Sequence, residues 1–228
     1  MKSFTPYSLA AAFAACAMLA APVMAQDVVA EPAAKAGSPV TNLLANASDS
    51  ALDDLAQPGA FYADKAIRIA LPGTKGGLLQ KGLSIGNKLG LTSDITRSLN
   101  EAAGLAAKEA KPIFRSAIND MSVKDIPGLV AKNDGGTRYL KQSASDQLSL
   151  KIRPLVAKAL GEVGAYDQLD KMGGQRSMFG SLGLSNDGLT DSVTKQTLHG
   201  IFKYMGSEES KLRKSPIKTG KKIFDIFR

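Results

Sequence analysis

Residues Thr92 to Met121 read TSDITRSLNEAAGLAAKEAKPIFRSAINDM, and their periodicity decides the fold class. Apolar residues recur at Ile95, Leu99, Ala102, Ala106, Ile113, Ala117 and Met121, the three-and-four spacing of a helix with one buried stripe. Thr92, Ser93 and Asp94 supply N-cap oxygens at its start. Pro112 lies inside the pattern, where a missing N–H and a clash with the preceding turn predict a kink or a restart near Lys111.

The same period extends to both sides. Upstream, Leu44, Ala51, Leu52 and Leu55 predict a helix over about Asn42 to Ala56, stopped by Pro58-Gly59. AIRIALPG at 66–73 alternates Ile67, Ile69 and Leu71 with Arg68 and Ala70, an extended piece too isolated to build a sheet. From Gly77 to Leu89 a further helix is expected, with Gly82, Gly86 and Gly90 at four-residue intervals on one face. Each glycine costs roughly 1 kcal/mol of helix propensity relative to Ala. Close approach of a neighbouring helix to that bare strip is the expected return, and a ligand groove beside Gly82 and Gly86 is the functional alternative.

Downstream, Ser122-Val123-Lys124-Asp125 is similar to a capping box and opens a short helix that ends at Asn133-Asp134-Gly135-Gly136. Thr137 is expected to cap a long helix with Leu140, Ala144, Leu148, Leu155, Val156, Ala159 and Val163 on its stripe and a second kink at Pro154. Gly173 to Gly188 contains five glycines and no sustained period, so it reads as a connector or a binding loop. A last helix starts at Thr190 or Asp191, buries Leu198, Ile201, Phe202, Met205 and Leu212, and ends before Pro216. The result is an all-α fold: a single-domain bundle of about five to seven helices, some kinked at proline.

Composition agrees. The chain has 228 residues, 44% hydrophobic and 22% charged, with one Cys, one His and no Trp. Those counts exclude a disulfide framework, a Cys-based zinc site and a cluster of His ligands. Residues 1–25, MKSFTPYSLAAAFAACAMLAAPVMA, pair Lys2 with an Ala-rich apolar run and a Val23-Met24-Ala25 cleavage signal, which reads as a secretory signal peptide cut after Ala25. Phe13-Ala14-Ala15-Cys16 is loosely similar to a lipobox, but the apolar run continues to Ala21, so a lipoprotein anchored at Cys16 is the weaker reading. Residues 26–40 read as a mobile leader and 41–228 as the helical domain, so the expected location is the periplasm or another exported compartment.

Charge is concentrated. Of the whole-chain net charge of +8, residues 211–228 carry +6, from Lys211, Arg213, Lys214, Lys218, Lys221, Lys222 and Arg228 against Asp225. Ile217, Ile223, Phe224, Ile226 and Phe227 lie in the same stretch. A basic segment with apolar residues suits an anionic membrane surface or an acidic envelope partner; docking on the body is the structural alternative. Nucleic acid is disfavoured, since the stretch carries no recognised reading motif. Oligomeric state is not legible.

Catalytic signals are weak. His199 is the only imidazole, beside Lys195, Gln196 and Lys203. Asp53-Asp54 and Glu208-Glu209 are adjacent pairs whose side chains diverge on a helix, and Glu209 with Arg213 forms an i,i+4 ion pair. GTKGGLLQKG at 73–82 lacks the spacing of a phosphate-binding loop. Tyr62, Tyr139, Tyr166 and Tyr204 could line a pocket, although the rim of a helical core is their ordinary place. No cofactor, metal site or catalytic residue is assigned.

In order and spacing, AIRIALPG, LNEAAGLAAKEAKPIFRSAINDMSVKDIPGLV, GGTRYLKQ, RPLVAKALGEVGAYDQL and GIFKYMGSEESKLRKSP resemble a bacterial family of exported proteins called DUF4197, over roughly Ala51 to Phe227. The resemblance implies an α-helical envelope protein and brings no catalytic residue. Many relatives resemble lipoproteins with a Cys just after the signal peptide, whereas here Cys16 stands within the apolar run. The expected function is non-enzymatic binding or scaffolding in the envelope. The alternatives are a small-ligand carrier with an inter-helix pocket and an enzyme with an unfamiliar site around His199.

Overall fold

Runs of alanine and leucine at helical spacing, broken by Pro and Gly, leave few of the described residues outside helices. The computed structural model describes residues 39–72, 91–122, 132–172 and 185–214, whose helices pack as one compact unit. Among the described residues there are seven helices and no strand: α1 Pro39–Leu55, α2 Ala60–Ala63, α3 Leu91–Glu109, α4 Lys111–Asn119, α5 Gly135–Glu162, α6 Ala165–Met172 and α7 Asn186–Lys214. The all-α bundle expected from the sequence is the architecture found.

Helix α1 begins at Pro39, two residues inside the stretch read as leader, because Pro is well suited to a first helical position and Val40 is already buried. It ends at Leu55, and four residues on Gly59 adopts φ 78°, a left-handed turn from which α2 starts. That turn places Phe61, fully buried, against Gly200 of α7. A Cβ on Gly200 would stand 2.7 Å from the Phe61 ring, so the bare backbone is what admits it.

The stretch expected to be extended opens as a turn, with the Ile67 and Arg68 N–H groups donating to the Asp64 carbonyl, and 68–71 follow without helix or strand; Ile67, Ile69 and Leu71 are buried and Arg68 and Ala70 half-buried. No neighbouring strand satisfies its backbone. Two side-chain amides do so instead: Asn100 of α3 accepts from the Ile69 N–H at 2.8 Å and donates to its carbonyl at 2.9 Å. Gln196 of α7 does the same for Ala70, at 2.9 Å each way. Buried main-chain groups must find partners, and a carboxamide offers the donor and acceptor of a peptide group.

The helix ends at Glu109 and restarts at Lys111, as Pro112 predicts. The restart shifts the phase of the apolar face. Phe114 and Ile118 become the buried residues of α4, while Ile113, Ala117 and Met121, expected on the stripe, are only partly buried. Helix α5 runs on through Pro154 as one helix. The carbonyl freed by the proline is that of Leu150, an exposed residue, so water can reach it. Ile152 lies in the core where Leu155 was expected, and Leu155 packs at its edge.

Helix α7 is the axis of the bundle, in contact with α1, α3 and α5. Its start is at Asn186, four residues ahead of the expected Thr190, because the Ser185 hydroxyl accepts from the Gly188 N–H at 3.1 Å and caps the first turn. Phe202 meets Phe114 edge-on, with centroids 5.8 Å apart at 68°. On α3 the small face of Ala102, Ala103, Ala106 and Ala107 is wholly buried among the neighbouring helices.

Candidate functional site

Of the basic residues singled out at the C-terminal end, Lys211, Arg213 and Lys214 form the last turn of α7, and the structure gives them different tasks. Lys211 is exposed and bonds Glu208 at 2.6 Å, an interaction that holds its ammonium above the ordinary value. Lys214 is exposed. Arg213 turns inward. Its Nε and Nη2 donate to Glu209 Oε1 at 2.9 and 2.6 Å, and the Glu209 side chain is fully buried.

Glu209 also accepts the backbone N–H groups of Gly136 at 3.0 Å and Thr137 at 2.8 Å. These are free donors in the first turn of α5, so a carboxylate from one end of α7 caps the start of another helix. Thr137 was the expected cap; instead its hydroxyl is buried without a partner. Gly136 permits the approach, because a Cβ there would lie 2.6 Å from the Leu44 side chain and 3.0 Å from Glu209 Oε1. Arg213 therefore belongs to a structural clasp.

Lys218, Lys221, Lys222, Gly82 and Gly86 lie outside the described residues, as do Cys16, Ala25, the Gly77–Leu89 helix, most of the capping-box stretch and nearly all of the glycine-rich run. His199 stands exposed on α7. The tyrosines are dispersed. Tyr139 donates to the Ser122 carbonyl at 3.2 Å, and Tyr166 shares a hydrogen bond with Thr190 at 2.8 Å. Tyr204 donates to Asp64 at 3.2 Å. Asp53 is engaged with Lys111 at 2.5 Å. Among the described residues no group of three His, Cys, Asp or Glu could hold a metal ion. None of their helices is long and apolar enough to cross a membrane.

The Asp64–Tyr204 pair joins the turn after α2 to α7. The Ala66 backbone N–H, with a smaller contribution from Tyr204, holds the Asp64 carboxyl below its ordinary value. Burial first, and then the bond to Asp64, pushes the Tyr204 hydroxyl up.

One cluster escaped the sequence reading. The Arg68 guanidinium lies 4.5 Å from the centre of the Tyr62 ring and that of Arg97 lies 5.5 Å from it. Arg68 also donates through Nε to the Tyr62 carbonyl at 2.5 Å. Arg68 was read only as the polar partner in an alternating segment, and Arg97 was not singled out. No spacing links positions 62, 68 and 97; tertiary packing alone unites them.

Seven helices among the described residues, a buried charged clasp and a segment held by side-chain amides define an all-α helical protein. The sequence matches the profile of a family described as protein of unknown function (DUF4197) over residues 31–227, and the chain belongs to that family. No curated protein and no solved structure matches it.

Proposed function

We propose that the protein is a non-enzymatic component of the cell envelope, exported by its N-terminal signal, that binds or scaffolds through its basic C-terminal residues on an anionic membrane surface. The observation that carries this reading is the end of α7. Glu209 and Arg213 clasp that end to the start of α5, while Lys211 and Lys214 remain exposed. Residues 215–228 continue from this fixed point with Lys218, Lys221, Lys222, Ile223, Phe224 and Phe227 in sequence. Basic and apolar residues so mixed suit headgroups and the acyl boundary below them.

His199, the centre of the alternative enzymatic reading, is exposed on α7. The test is sedimentation of the purified mature protein, beginning at Gln26, with neutral and anionic vesicles at low and high salt, beside a variant carrying Lys218→Gln, Lys221→Gln and Lys222→Gln. Removal of the chain after Ser210 would be uninformative, since it deletes Arg213 and strands buried Glu209. Each lysine near anionic headgroups contributes about 1 kcal/mol, so the triple variant should bind on the order of 100-fold more weakly. Equal sedimentation of parent and variant, or none with anionic vesicles, would overturn the proposal.

A further inference from the structure

We propose that Arg68 and Arg97, gathered on the ring of Tyr62, form a binding site for a phosphate group, separate from the C-terminal basic residues. The first ground is selective pairing. Six arginines are described, and four have carboxylate partners: Arg115 with Asp49, Arg138 with Asp134, Arg153 with Asp187 and Asp191, and Arg213 with Glu209. The two without such a partner among the described residues are the two that share one aromatic ring. Two guanidiniums beside one ring raise the local positive potential, and a bound oxyanion lowers it.

The second ground is preorganisation. Tyr62 adjoins Phe61, which is fixed in the notch at Gly200. Arg68 adjoins Ile69 and Ala70, whose backbone groups are held by Asn100 and Gln196. Arg97 stands one turn before Asn100 on the same helix, so the residue that anchors Ile69 also sets the position of the second cation. Arg68 spends its Nε on the Tyr62 carbonyl, which orients the guanidinium and leaves the two Nη groups for a ligand. Stacking on the ring restricts both side chains before any ligand arrives, which lowers the ordering cost of binding.

The chemistry favours phosphate over a single carboxylate. Two guanidiniums match the charge of a phosphate dianion, and a guanidinium fork donates two parallel hydrogen bonds to its oxygens. Asp64, the nearest acid in sequence to Arg68, is occupied by the Ala66 N–H and the Tyr204 hydroxyl and does not occupy the site.

Calorimetric titration of the mature protein with inorganic phosphate, and with acetate at matched ionic strength, tests the site. Parent protein and an Arg115→Gln control should bind phosphate saturably and more tightly than acetate. Arg97→Gln, which removes an exposed side chain, should weaken phosphate binding about tenfold or more. Phosphatidylcholine vesicles with and without phosphatidic acid separate a lipid headgroup from a soluble phosphate as the source. Binding confined to phosphatidic acid, lost in Arg97→Gln and kept in the triple lysine variant, supports the site with a lipid ligand. Equal phosphate affinity in parent and Arg97→Gln overturns it, as does absence of both phosphate and Arg97-dependent vesicle binding. Vesicle binding lost only in the triple lysine variant would refute this site and leave the C-terminal reading standing.

Discussion

Replacing Glu209 by Ala should be among the most damaging single changes in the bundle. The side chain is fully buried and accepts four hydrogen bonds, from Gly136 N, Thr137 N and two nitrogens of Arg213. Removing it leaves two buried backbone donors without partners, each costing about 1–3 kcal/mol. It also strands a guanidinium that is only 9% exposed, and breaking a buried ion pair by deleting one member costs about 3–5 kcal/mol. These losses overlap, and Arg213 can turn toward water at the helix end, so a total of about 4 kcal/mol is expected, a large share of a stability of about 5–15 kcal/mol. For a chain of this size that corresponds to a fall in Tm of about 8–16 °C.

Urea unfolding followed by far-ultraviolet circular dichroism measures the loss. Amide exchange adds a local readout, because the Gly136 and Thr137 amides should exchange faster in the variant than those mid-way along α5. Arg213→Ala strands the buried Glu209 charge and is also destabilising, but it leaves the Gly136 and Thr137 amides bonded and should not speed their exchange relative to the rest of α5. A loss below about 1 kcal/mol for Glu209→Ala, or unchanged exchange of the Gly136 and Thr137 amides in that variant, would refute the assignment of the carboxylate as the cap of α5.

The two amide clamps carry a parallel expectation: Asn100→Ala leaves the Ile69 N–H and carbonyl unpaired in a buried setting and should cost about 2–4 kcal/mol by urea unfolding. Gly200→Ala drives a methyl to 2.7 Å from the Phe61 ring and should destabilise by about 1–3 kcal/mol, whereas Gly161→Ala, with open space around it, should gain up to about 1 kcal/mol; thermal unfolding distinguishes the signs. Asp64 has a lowered folded pKa, so its contribution is present above the ordinary 3.8 and lost as pH falls through the folded value. Asp64→Asn should therefore flatten the acid limb of a stability-against-pH curve. Tyr204, raised in the fold, contributes below its ordinary 10.0 and loses that contribution as pH rises through the folded value, so Tyr204→Phe should flatten the alkaline limb.

Helices were legible wherever their apolar period was long. The break at Lys111 followed from Pro112 alone, because the missing N–H acts within one turn. The inward face after that break was not legible, since a restart resets the phase and moves burial to Phe114 and Ile118. Thr137 had the chemistry of a cap, yet Glu209 took the position, being charged and already buried beside it. The ion pair of Glu209 with Arg213 was readable from its four-residue spacing; its task at the start of α5 was not.

Local pattern thus determined the class of the fold, its main breaks and the concentration of positive charge at the C-terminal end, because helix periodicity, proline sterics and charge counts act over a few neighbouring residues. Tertiary structure alone decided which polar groups meet. Asn100 reaches Ile69 across 31 residues, Gln196 reaches Ala70 across 126, and Glu209 reaches Gly136 across 73. Tyr62, Arg68 and Arg97 converge in the same way. Such pairings answer to the demand that buried polar groups find partners, and which partner is near depends on how the helices pack rather than on any spacing along the chain.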